Sequence, residues 1–132
     1  MTPDEINNLS ATELRIEIAK AKGAKWYPII GHPGEYILAY NLAGFDAVEW
    51  PDGEASFGFH GIPDWPSDIA AAMGLLDDHG TTTLQRVGPY HVAGIKLENG
   101  EWLHAIAMDG TCAKIKRCIA ICRAWLAAKA NS

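Results

Sequence analysis

The chain has 132 residues, 48% hydrophobic and 20% charged, which is enough to close one hydrophobic core without disulfides or metals, so a single domain over 1–132 is expected. Eleven Lys and Arg against sixteen Asp and Glu leave a net charge of -5, and without a basic run this excludes duplex DNA or RNA as a partner but leaves room for a small nucleotide. The acidic N-terminus and the lack of any apolar run near the roughly 20 residues that cross a bilayer exclude a membrane partner and predict a soluble, cytoplasmic protein.

In chain order, residues 1–23 read as two helices. Thr2 with Pro3 and Glu5, then Ser10 with Glu13, have the capping-box spacing, in which hydroxyl and carboxylate satisfy the amides of a helix start. Leu14, Ile18 and Ala21 form an apolar stripe, and Gly23 supplies a left-handed stop.

Residues 24–61 change character: Trp26, Tyr27, Tyr36, Tyr40, Phe45, Trp50, Phe57 and Phe59 alternate with glycine and proline. Strands are expected at Tyr36 to Tyr40 and Ala55 to His60, with turns at His32-Pro33-Gly34 and Pro51-Asp52-Gly53. Such aromatics form a binding surface or roof a small core, and the sequence leaves both open.

Residues 62–132 are predicted as helix, hairpin and closing helix. Pro63 and Pro66 stiffen the approach and place Ser67 to cap a helix over Asp68 to Asp78, ended by Gly80. Thr81 to Val87 and Tyr90 to Leu97 read as strands around Gly88-Pro89, and Asn99-Gly100 fits a two-residue hairpin turn into a strand over Trp102 to Met108. Both alternating sets of that strand are largely apolar, which predicts burial on both faces and hence layers on both sides. The expected fold class is therefore α+β: a three-layer α-β-α sandwich with a small, mainly antiparallel sheet covered by helices on both faces. Cys112 to Lys129 reads as the last helix, with Ile115, Ile119, Cys122 and Leu126 at helical spacing.

The run Pro63-Asp64-Trp65-Pro66-Ser67-Asp68-Ile69-Ala70-Ala71-Ala72, the hairpin with a Trp past its turn, and the Ile-, Ala- and Cys-rich closing helix resemble the phage ABA sandwich domain. The opening helix over Leu9 to Gly23 matches as well, whereas 24–61 is longer and more aromatic than the usual connector. The resemblance implies an origin in a tailed phage and action inside an infected bacterial cell, with no catalytic motif to carry over.

The residues themselves give no reaction signature. His32, His60, His79, His91 and His104 lack metal-ligand spacing, and no Walker loop, dinucleotide fingerprint or nucleophile elbow is present. Cys112, Cys118 and Cys122 suit neither a disulfide framework nor a zinc knuckle; Cys118 and Cys122, four apart on one helix face, read as reduced packing residues. No cofactor, metal or catalytic residue is therefore expected. The candidate ligand contacts are Trp50, Trp65 and Tyr40 for stacking, His60 and Asp64 for polar contacts, and Thr111, Lys114 and Arg117 at a helix start for a phosphate. Each also has an ordinary structural role: Thr111 as a helix cap, the aromatics as core, and Asp64 as an amide acceptor. Three functions follow: capture of a small nucleotide-like signal of host defence without catalysis, inhibition of a host protein through exposed Trp and Tyr, or a His-dependent phosphodiester hydrolase. The free sheet edge and the alanine-rich helix also predict a homo-oligomer.

Overall fold

The computed structural model describes residues 1–31, 33–40, 58–108 and 112–130. They form helices and two small, mostly antiparallel sheets, an α+β chain, divided into two compact units: 1–18 with 63–132, and 19–62.

In the larger unit, helix α1 (Pro3–Asn7) opens on the expected capping box, with Glu5 N–H donating to Thr2 Oγ1 and the Glu5 carboxylate accepting from Thr2 N–H. Helix α2 (Ala11–Ala21) runs from this unit into the next and starts on the second box: Ser10 N–H donates to Glu13 Oε1 at 3.1 Å, and Glu13 N–H donates to Ser10 Oγ at 3.2 Å. Leu14 and Ile18 are buried as the stripe requires, whereas Ala21 is exposed and Ala19 takes the inward position. Gly23 follows at φ +104, a conformation open to glycine and costly for other residues.

Helix α3 (Ile69–Leu76) begins one residue later than the sequence suggests. Its cap is Asp68, not Ser67: the Asp68 carboxylate accepts from Ala70 N–H at 3.0 Å and Ala71 N–H at 3.3 Å. The Asp64 carbonyl accepts from both Ser67 N–H and Asp68 N–H, so a turn at 64–67 consumes Ser67 and hands the cap to its neighbour. The helix also ends at Leu76, before Gly80.

Strands β4 (Thr82–Val87), β5 (Tyr90–Lys96) and β6 (Trp102–Ala107) form an antiparallel sheet in the order β4-β5-β6. The β5–β6 hairpin is present, but its turn is larger than the expected two residues. Leu97 carbonyl accepts from Gly100 N–H, Leu97 N–H donates to Glu101 carbonyl, and the left-handed position is Gly100 alone, at φ +88. That is the loop in which an ordinary turn is followed by one left-handed glycine, with the Asn99 side chain accepting from Glu101 N–H at 2.9 Å.

Helix α4 (Ala113–Ala130) lies against β5 and β6 on one side and against α3 and α1 on others. This explains why residues 118–126 are buried without a break: a helix surrounded by sheet and helices needs apolar residues all round. His91, Ala93 and Ile95 of β5, with Ala105 and Ala107 of β6, make the sheet face that meets it. The expectation that Trp102 to Met108 is buried on both faces is corrected here. Only Ala105 and Ala107 are buried, while Trp102, His104, Ile106 and Met108 point to the other face and are exposed. Apolar composition on both sets does not require two covering layers, because large apolar side chains also stand on open surfaces.

In the smaller unit, β1 (Lys25–Pro28) pairs antiparallel with β2 (Tyr36–Ala39), and β2 pairs in parallel with β3 (Phe59–His60). Ile37, Leu38 and Ala39 are buried. The expected strand at Tyr36 is therefore present, Ala55 to Phe57 and the Pro51-Asp52-Gly53 turn lie outside the described residues, and β1 is an additional strand.

Candidate functional site

Arg86 stands opposite His91 in the β4–β5 register, a pairing set by the Gly88-Pro89 turn, in which Gly88 has φ +61. The Arg86 guanidinium bends back over this turn, its Nε donating to Gly88 carbonyl at 3.2 Å. On the same sheet face, α4 begins, and its first two turns carry Lys114, Lys116 and Arg117 with no acidic residue in the first turn. His91 lies between, 4% exposed. Burial first, and then the positive charges of Arg117, Arg86 and Lys116, hold its imidazole below the ordinary value of 6.5. Two elements distant in sequence thus gather cations round one buried neutral imidazole.

This charge distribution works against the stability of α4. The start of a helix is its positive end, and cations there cost about 0.3–1 kcal/mol each where they are not screened. The amides of the first turn likewise have no acceptor within the helix. An anion bound at this end would answer both the cations and the amides, which is the chemistry of phosphate recognition at helix starts.

Of the residues singled out from sequence, Arg117 belongs to this group and Lys114 stands in the same opening turn of α4; both are exposed. Thr111 and Trp50 lie outside the described residues. Trp65 is 4% exposed and packs in the core beside the fully buried Pro66, so its ring faces are taken up by protein and it does not offer a stacking surface. Asp64 acts through its backbone carbonyl in the turn before α3, with its side chain at the surface. Tyr40 and His60 fall at the same end of the β2–β3 pair, where Ala39 is opposite His60. Tyr40 is half-buried, and that burial pushes its hydroxyl pKa up. Lys116 is legible from spacing with Lys114 and Arg117 as a cation of the same helix start, whereas Arg86 carries no signal of its own and meets His91 and the α4 cations only through strand register and helix docking. The signal available was the Gly88-Pro89 turn, which fixes Arg86 against His91.

The remaining titratable and nucleophilic groups give no catalytic arrangement among the described residues. Cys118 and Cys122 are buried thiols whose pKa values are pushed up by desolvation, the opposite of an activated nucleophile. No group of three or more His, Cys, Asp or Glu able to hold a metal occurs among the described residues. An open cleft of about 590 Å³ lies at the far end of the sheet, but Asp78 and Glu98 line it and oppose an anion. No helix among the described residues is long and apolar enough to cross a membrane. Comparison with protein-family models, with curated proteins and with solved structures gave no match.

Proposed function

We propose that the protein is a non-catalytic binding protein for a small, phosphate-bearing, nucleotide-like ligand. The observation that carries this reading is the gathering of Arg86, Lys116 and Arg117 around buried His91 at the start of α4, in a chain whose net charge is -5. Cations concentrated where a helix dipole disfavours them are explained by an anion they serve. Lys114, exposed in the same first turn of α4, adds a further cation at this helix start. Following the resemblance to the phage ABA sandwich domain, the biological reading is sequestration of a host-defence signal inside an infected bacterial cell.

The test is incubation with a panel of cyclic dinucleotides, following free ligand by chromatography before and after heat denaturation. Depletion with full recovery is expected, and it should be lost in Arg86→Gln/Arg117→Gln. A new product peak would establish an enzyme instead, and no depletion by any member would remove the nucleotide reading.

A second reading, binding of a protein partner, is favoured by the exposed apolar face of the β4–β6 sheet. A three-layer sandwich requires a layer on that face, and the proposal is that a second protein surface supplies it.

A further inference from the structure

The face of β4–β6 turned away from α4 is formed by Thr83, Gln85 and Val87 of β4, by Tyr90, Val92, Gly94 and Lys96 of β5, and by Trp102, His104 and Ile106 of β6, with Met108 just beyond. Val87, Tyr90, Trp102, Ile106 and Met108 are 56%, 40%, 42%, 51% and 53% exposed. At roughly 150–250 Å² per large side chain this is on the order of 500 Å² of mainly apolar surface on one small sheet. A stable interface takes about 800 Å² from each partner, and homodimer interfaces are about 65% apolar, so these five side chains supply rather more than half of one partner's share, and Thr83, Gln85, Lys96 and His104 of the same face supply the polar remainder. It contains no carboxylate, and Lys96 is its one permanent charge.

We propose that two copies of the chain pack through this face, sheet on sheet, about a two-fold axis lying in the interface perpendicular to the strands. Charge selects the axis. A two-fold parallel to the strands would set Lys96 against Lys96 of the second copy, two like charges buried face to face. The perpendicular axis reverses the strands, so that Lys96 lies over the Tyr90 ring of the second copy and Met108 lies over the Trp102 ring. Both are favourable pairings, a cation on an aromatic face and a thioether against an indole. The strands of the two sheets stay nearly aligned, as in packed sandwiches. The Trp102 and His104 rings are already stacked, with centroids 6.0 Å apart and planes at 18°, which presents a flat edge to the incoming sheet. Gly94 keeps the middle of the face low: a Cβ there would meet Thr83 Oγ1 at 2.5 Å and His104 Cδ2 at 2.9 Å. The face lies across the sheet from His91, so the inference is independent of the anion site.

Sedimentation equilibrium of the full chain tests it, with far-UV circular dichroism as the control for folding. The wild type is expected to be a dimer at micromolar concentration. Met108→Glu should raise the dimer Kd on the order of a hundredfold or more, because it buries an unpaired charge. Lys96→Met should weaken the dimer about two- to fivefold, the loss of one cation–aromatic contact. A monomeric wild type would overturn the proposal, including one in which the face instead takes a different protein. So would a dimer indifferent to Met108→Glu, and a dimer tightened by Lys96→Met would overturn the perpendicular axis.

Discussion

Arg123 is a charged side chain deep in α4, and its removal should cost stability by an amount the geometry allows one to estimate. Its Nη1 donates to Ile106 carbonyl on β6 at 2.9 Å, and its Nη2 donates to Asn7 carbonyl, the last helical residue of α1, at 3.2 Å. One guanidinium fork thus ties the edge strand and the C-terminal end of a five-residue helix to α4. A helix that short does not persist alone, and α1 has no basic residue in its own last turn to answer its carbonyls. Bonds to a charged donor contribute about 1.5–3 kcal/mol each. In Arg123→Met the thioether follows the same apolar path, and no charge has to be kept from water, which returns part of that sum, leaving a net loss of about 2 kcal/mol. At about 2 kcal/mol per molar urea the denaturation midpoint falls by about 1 M. Arg123→Lys, which keeps the charge but not the fork, should fall between wild type and Met. Urea titration followed by circular dichroism measures both. A midpoint unchanged or raised in Arg123→Met would refute the reasoning, for it would mean that the desolvation of the guanidinium outweighs its two bonds.

Asp68→Ala should destabilise by about 1 kcal/mol through loss of the α3 cap, with Ser67→Ala close to neutral; equal effects of the two would return the cap to Ser67. Gly94→Ala should destabilise by about 1–3 kcal/mol through crowding against Thr83 and His104, and thermal melts should show partial recovery in Gly94→Ala/Thr83→Ala. His91 has its folded pKa lowered, so the unfolded chain takes up its proton more readily. Its contribution is fully present above the ordinary value of 6.5 and is lost as pH falls below it. Wild type should therefore lose more stability than His91→Gln between neutral and mildly acid pH, in urea midpoints taken across that range. An equal loss in both proteins would contradict a buried neutral imidazole.

The parts of the fold legible in sequence are those fixed by neighbours a few residues apart. Both capping boxes are met atom for atom, since hydroxyl and carboxylate need only a three-residue reach, and the β5–β6 hairpin follows from Asn99-Gly100. The turn type did not follow, because only Gly100 takes the left-handed conformation. Ser67 and Asp68 are both good caps, and the choice between them rests on the turn closed by the Asp64 carbonyl. Trp102 to Met108 was misread for a different reason: apolar side chains on both sets look the same whether covered or open, and only the position of α4 decides which set is buried. Lys114 and Arg117 were legible as cations at a helix start. Lys116 is legible with them, whereas Arg86 and His91 join through register and docking, which spacing along the chain does not reveal, and Trp65 belongs to the core, packed beside Pro66.

The most direct measurement of the central claim is isothermal titration of the full chain with the nucleotide-like ligand identified by depletion, at neutral pH and at two salt concentrations. The account predicts binding that weakens with salt, falls at least about tenfold in Arg86→Gln/Arg117→Gln, and persists in Met108→Glu, which alters only the opposite sheet face. Binding unchanged by removal of the two arginines would contradict it.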